Sequence, residues 1–342
     1  MEQLLYLECS AGISGDMVVA ALLDAGASEQ KLRDVLVSLD LDGFAVEITR
    51  VKKSGLDACD FNVVLDAAHD GHDHDMAYLY GHAGWESSAN CGDDVLGYLC
   101  DTGADSVHSC DTHDCCGAHD GASDYSPHLH SNSNDAPSRY RSEREGVAGH
   151  HHHAGVNHHK HRTLAEITAI IDASSATQHA KDLAKRIFSV LASAEAKAHG
   201  VPAEEVHFHE VGAVDSVVDI LAAAVCLDDL APSGVIVPRL CEGQGMVRCQ
   251  HGVIPVPVPA VVNIAAAYDI PLSVIDVQGE LVTPTGAAFV AAARTASQLP
   301  ETFTVTRVGL GAGKRVCPET SGLLRAFLIS PVPFEPSERS VL

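Results

Sequence analysis

Two groups of histidines carry the most distinctive chemistry in this chain. His150, His151, His152 and His153 run consecutively and are followed by His158, His159 and His161. Upstream, His69, His72 and His74 are interleaved with Asp70, Asp73 and Asp75. Neutral imidazole is a good ligand for Ni(II), Zn(II) and Cu(II), and affinity order alone does not select one of them. A flexible stretch dense in such ligands retains ions by rebinding, because the local ligand concentration is on the order of millimolar. The bland alternative is a solvated low-complexity linker or a purification tag. A run of four histidines inside a region holding 16 of the chain's 21 is a poor tag. Catalysis, which needs fixed geometry, is not expected from this region.

A second constellation lies in Val206–Asp219. On an extended segment His207 and His209 point to one face. Asp215 and Asp219, four residues apart, share a face in the first turns of the following helix. With Glu210, two imidazoles and up to three carboxylates converge where the segment meets the helix, enough for a divalent metal or for acid–base chemistry. The competing reading is that Glu210 and Asp215 only cap the helix.

Two turns have the character of anion sites. Gly12–Ile13–Ser14–Gly15–Asp16 follows a strand and opens a helix, so Gly12, Ser14, Gly15 and Asp16 can bring backbone amides close to a phosphate. It is neither a dinucleotide-binding fingerprint nor a phosphate loop of the Walker type. Thr283–Pro284–Thr285–Gly286 reads as a capped helix start in which Thr283, Thr285 and Gly286 can hold phosphate or carboxylate. Simple capping and turning explain both equally. His251 with its alternating prolines, Gly309–Arg315 with two cations, and Glu280 are weaker signals; plain loops account for the two segments as well.

Positioning these groups requires an α/β framework of mixed sheets with flanking helices. Gln3–Cys9 reads as a strand, Met17–Ala25 as a helix stopped by Gly26, and Leu32, Val35, Leu36 and Leu39 as one face of a second helix. Phe44–Val51 and Cys59–Leu65 alternate like half-buried strands. Behind the histidine-rich region, helices are expected over Leu164–Ile171, Ala180–His199 and the almost wholly apolar Val214–Leu230. Strands are expected at Val206–Phe208, Val235–Pro238, Leu272–Ile275, Phe303–Val308 and Leu323–Ile329. The domain plan is therefore residues 1–68 and 162–342 as parts of one α/β domain. Residues 69–161 form a His/Asp/Cys-rich insertion, too poor in aliphatic side chains to order without metal.

Composition narrows the function classes. Of 342 residues 46% are hydrophobic but only 5% aromatic, which suits α/β packing. The formal charge of −24 argues against nucleic acid or an anionic membrane as partner. No apolar run reaches bilayer length, and the N-terminus carries no basic, apolar leader pattern. Eleven cysteines without an export signal indicate reduced thiols and a cytoplasmic protein. Cys91, Cys100, Cys110, Cys115 and Cys116 of the insertion are further metal-ligand candidates.

The chain resembles the pyridinium-3,5-bisthiocarboxylic acid mononucleotide nickel chelatases, which make the nickel-pincer nucleotide cofactor of lactate racemase. The resemblance rests on LECSAGISGDMVVAALLDAGA, the His-rich insertion, HRTLAEI, VHFHEVGAVDSVVDILAAAVCLDDL, HGVIPVPVPA, ELVTPTGAA and VGLGAGKR, in the family's order. It implies nickel insertion into a thiocarboxylated pyridinium mononucleotide. His209 and Glu210 would serve as base, and His207, His209, Asp215 and Asp219 would hold the metal. Gly12, Ser14, Gly15, Asp16, Thr283, Thr285 and Gly286 would orient the nucleotide. It also implies an apo-lactate racemase-type recipient and dependence on CTP with Mg(II) or Mn(II). Family members usually carry that CTP function in a further C-terminal domain; this chain stops about where it should begin, so either a second polypeptide supplies it or the chain is a fragment. A non-enzymatic nickel store or metallochaperone and a metal-dependent hydrolase are the competing functions.

Overall fold

Leu4–Glu8 is the first strand, β1, and its burial alternates, with Leu5 and Leu7 fully buried. The computed structural model describes residues 3–66, 162–203, 206, 214–249 and 252–332. All of them fall in one compact unit, built from residues 1–86 and 157–342.

The remaining strands are β2 (Phe44–Lys53), β3 (Leu56–Leu65), β4 (Gly234–Ile236), β5 (Leu240–Cys249) and β6 (Gly252–Val256). They are followed by β7 (Leu272–Gln278), β8 (Phe303–Ala312) and β9 (Leu323–Pro331). Among the described residues there are seven helices. They are α1 (Gly15–Asp24), α2 (Glu29–Val37), α3 (Leu164–Ala173), α4 (Gln178–His199), α5 (Val214–Leu230), α6 (Pro259–Ala267) and α7 (Pro284–Ala293). A six-stranded sheet runs β2-β3-β8-β9-β1-β4 and a three-stranded sheet runs β6-β5-β7. Both are mixed. β1 pairs parallel with β4 and antiparallel with β9, while β5 pairs antiparallel with β6 and parallel with β7.

Local sequence accounts for the helix ends. Thr163 and Glu166 form a reciprocal capping box at the start of α3, and Thr177 caps α4 through the Ala180 amide. Gly200, left-handed at φ 68°, ends α4. The central helix α5 buries Val217, Val218, Ile220, Leu221 and the run Ala222–Leu227. Its acidic residues sit at the two ends: Asp229 at the C-terminal end accepts from the Ser28 amide at 2.7 Å and pairs with Lys31.

The framework matches the expected α/β class. Two expectations are corrected. Val206 belongs to no strand (residues 207–208 lie outside the described set), and Gly309–Ala312 of the glycine segment continue β8, leaving only Gly313–Arg315 beyond the strand. Glycine is required there by approach, because a Cβ on Gly309 would lie 2.0 Å from the Ala21 carbonyl oxygen. A Cβ on Gly311 would lie 2.1 Å from that of Met17. Strand β8 thus lies backbone against backbone on α1. β5 and α6 were not foreseen. No helix of the described residues is long and apolar enough to cross a membrane.

Candidate functional site

The turn after β1 and the turn before α7 are joined. Ile13 and Val282 form a parallel bridge: the Ile13 amide donates to the Leu281 carbonyl at 2.9 Å, and the Thr283 amide to the Ile13 carbonyl at 3.0 Å. Gly12 and Gly286 make this seam possible. A Cβ on Gly12, whose φ is +88°, would lie 2.0 Å from the Leu281 oxygen, and one on Gly286 would lie 2.4 Å from that of Ile13. These two predicted ligand-binding glycines therefore sit in the seam and not on a cavity wall.

Beside the seam lies a cavity of about 490 Å³. Four helices bring their N-terminal turns to it: α1 with Ser14, Gly15 and Asp16, α5 with Asp215 and Asp219, α6 with Pro259, and α7 with Thr283 and Thr285. Helix N-termini present unsatisfied amides and a positive partial charge, so their convergence favours an anion. Lys314 and Arg315 add two full positive charges to the same wall. A volume of this order suits a mononucleotide-sized ligand.

Opposing charge stands next to these cations. Lys314 pairs with Asp60 at 2.5 Å, and neither side chain is more than a quarter or so exposed. Burial pushes the Asp16 carboxyl above the ordinary carboxylate range, against the opposing pull of the Ser14 hydroxyl, which donates to it, and of Lys314. Asp219 is driven well up, first by burial and then by the charges of Asp16 and Asp215. A Cβ on Gly15 would stand 2.9 Å from an Asp219 carboxyl oxygen and 3.1 Å from the Thr285 methyl, so these three residues share one corner. Such a carboxylate group is a place to receive a cation or a proton. Among the described residues no three His, Cys, Asp or Glu side chains come close enough to hold a metal by themselves.

Of the predicted site residues, Ser14, Gly15, Asp16, Asp215, Asp219, Thr283 and Thr285 line this one cavity. His207, His209 and Glu210 lie outside the described residues, as do His69, His72, His74, His150–His153, His158, His159 and His161. Several lining residues carried no sequence signal, among them His199 and Glu195 at the end of α4, and Cys249 and Cys317. Lys53 was also missed. It is half-buried, burial lowers its pKa, and its ammonium donates to the Gly313 and Arg315 carbonyls, holding the cation-bearing loop. Only the tertiary fold brings these groups together.

The nickel insertion protein family model matches residues 5–342. The chain belongs to that family. It is 41% identical over 330 residues to a pyridinium-3,5-bisthiocarboxylic acid mononucleotide nickel insertion protein of Alkaliphilus metalliredigens, covering 96% of this chain and 61% of the relative. Proteins of the same name from Acetivibrio thermocellus and Geobacillus kaustophilus are 32% and 31% identical, over 92% and 95% of this chain and 57% and 59% of theirs. This member of the nickel insertion family thus spans about three-fifths of the length of those relatives. No solved structure matches it.

Proposed function

We propose that this cavity binds a pyridinium-3,5-bisthiocarboxylic acid mononucleotide and that the chain takes part in inserting Ni(II) into it. The observation that carries the reading is the division of charge within one cavity. Converging helix N-termini with Lys314 and Arg315 suit the nucleotide phosphate, and Asp215 and Asp219 suit the incoming cation. The relatives' name supplies the ligand pair. Thiocarboxylate sulfurs are soft ligands that suit square-planar Ni(II). Closing the pincer makes a nickel–carbon bond at the ring, so a ring proton must leave to a base as the metal takes the carbon electron pair. His209 and Glu210 are assigned that proton, and His207, His209, Asp215 and Asp219 the nickel before transfer. Ser14, Gly15, Asp16, Thr283 and Thr285 orient the nucleotide, with Gly12 and Gly286 holding their two turns together. CTP with Mg(II) or Mn(II), and an apo-lactate racemase-type recipient in the cytoplasm, belong to the same reading through the family resemblance.

The histidine density of residues 69–161 favours a second role as a nickel reservoir, with a storage protein as the alternative to an insertase. The two are separated by mass spectrometry of single-turnover mixtures of chain, Ni(II) and the apo-nucleotide, with the family's C-terminal domain, CTP and magnesium present. With both thiocarboxyl groups already ionised, the nucleotide should gain one Ni(II) and lose one proton, that of the ring carbon, so that its net charge rises by one. Lys314→Ala should weaken nucleotide binding about tenfold, and His207→Ala with His209→Ala should abolish insertion while leaving nickel storage. Full insertion by the double variant would place the reaction elsewhere.

A further inference from the structure

We infer that Glu242 is a positioning residue for the proposed nucleotide site, acting through the backbone of the turn that precedes α7; this rests on the functional reading above. Glu242 is fully buried, one of two buried polar or charged side chains among the described residues. It does not itself line the cavity, but it bonds the backbone of Leu281, which does. One carboxyl oxygen, Oε1, accepts from three amides: Leu281 at 2.6 Å, Gly243 at 2.8 Å and Val282 at 3.1 Å. The other oxygen, Oε2, has no hydrogen-bond partner among the described residues.

The placement is built by the backbone of β5. The pairing of β5 with β7 shifts register between Glu242 and Gln244, and a Cβ on Gly243 would lie 2.0 Å from the Gly279 carbonyl oxygen. The irregularity therefore presses β5 against the 278–283 turn and puts the carboxylate under it. The Gly279 amide donates to the Gln244 carbonyl at 2.7 Å, and Arg315 donates to the Gln278 and Glu280 carbonyls from the other side. The same turn carries the bridge to Ile13 and ends in Thr283, whose hydroxyl caps α7 through the Gly286 amide at 3.2 Å. Glu242 therefore fixes the relation between two of the helix ends proposed to hold the nucleotide.

Burying a carboxylate is costly, and burial pushes the Glu242 carboxyl upward against the pull of its three amides and of Arg315. An apolar side chain here would strand the Leu281 and Val282 amides. A neutral amide side chain would keep the shape and one acceptor while losing the charge-assisted strength of the bonds. A role in ordering the turn explains why a carboxyl group stands there.

The test compares the parent chain with Glu242→Gln, and with Glu242→Ala if that variant folds. The first readout is amide exchange at Leu281 and Val282 without ligand. The second is nickel insertion into the bisthiocarboxylated mononucleotide, with KM and saturated rate separated. In Glu242→Gln we expect exchange at these two amides to rise at least tenfold and melting to stay within a few degrees. KM for the nucleotide should rise about tenfold, with the saturated rate within threefold. Unchanged exchange, or an unchanged KM in a folded variant, would overturn the role of Glu242. A parent chain that binds no nucleotide sinks the functional reading instead, and the exchange readout still decides whether Glu242 orders the turn.

Discussion

At the residue scale the site is a set of acidic groups held at a cost. Asp219 sits where burial and two neighbouring carboxylates, Asp16 and Asp215, raise its pKa well above the unfolded value. A carboxyl raised in the folded state binds its proton more tightly there than in the unfolded chain. Ionisation then works against folding, and the penalty grows as pH rises from the ordinary carboxylate range through the folded-state pKa. Asp219→Asn should therefore raise the melting temperature of nickel-free protein by a few degrees at pH 7–8, with the gain vanishing below about pH 4. The same variant should lose most insertion activity. Melting curves across that pH range check the sign, and a destabilised variant at pH 8 would refute it. Asp215 and Asp219 were legible in the sequence because acids at helical spacing are out of place in so apolar a helix. Lys53 and Glu242 were not, since apart from the adjacent Gly243 amide their partners are backbone carbonyls and amides more than 35 residues away, and a single lysine or glutamate announces nothing.

At the element scale the strand–helix contact of β8 on α1 sets where the α1 N-terminus points. Most strands and helices, and even the cap at Thr283, were readable from alternation, 3.6-residue spacing and Pro at the first helical position, but β5 and α6 were not. The glycine run of β8 was misread because glycine is a poor strand former and a frequent loop residue. The requirement came from α1, which needs bare backbone opposite Met17 and Ala21. The prolines around Gly252–Val256 likewise indicated an extended segment but not that it would pair with β5. Gly311→Ala tests the contact. Its Cβ would meet Met17 carbonyl oxygen at 2.1 Å and the Ala21 amide nitrogen at 2.7 Å, so α1 and β8 must separate. The expected cost is about 3 kcal/mol, at the upper end for overpacking in a close-packed interior. Urea unfolding measures it, and a loss below about 0.5 kcal/mol would mean that the two elements slide apart freely. Because α1 carries Ser14, Gly15 and Asp16 to the cavity, nucleotide affinity should fall in parallel.

At the scale of the whole molecule, charge and ligand supply are distributed unequally. The 46 acidic residues against 22 Lys and Arg make the chain a general attractor of cations. Imidazoles concentrate in residues 69–161, outside the described framework, and the carboxylates of the cavity are few and enclosed. We expect two classes of nickel binding to follow: several ions held by the histidine-rich segment, and one held at the cavity. The first should account for most of the pH dependence near neutrality, because it holds most of the imidazoles. An imidazole must shed its proton to ligate, and at an ordinary pKa near 6.5 only about 3% of such groups remain neutral at pH 5. Nickel titrations by calorimetry on the full chain at pH 7.5 and pH 5 should show loss of most bound ions at the lower pH. A variant with residues 69–161 replaced by a short Gly/Ser linker should bind far fewer ions at pH 7.5. It should still insert nickel at saturating metal while needing at least tenfold more nickel for half-maximal rate. Equal nickel requirements in the two chains would remove the segment from delivery. Loss of insertion at saturating nickel would instead place part of the reacting centre within it.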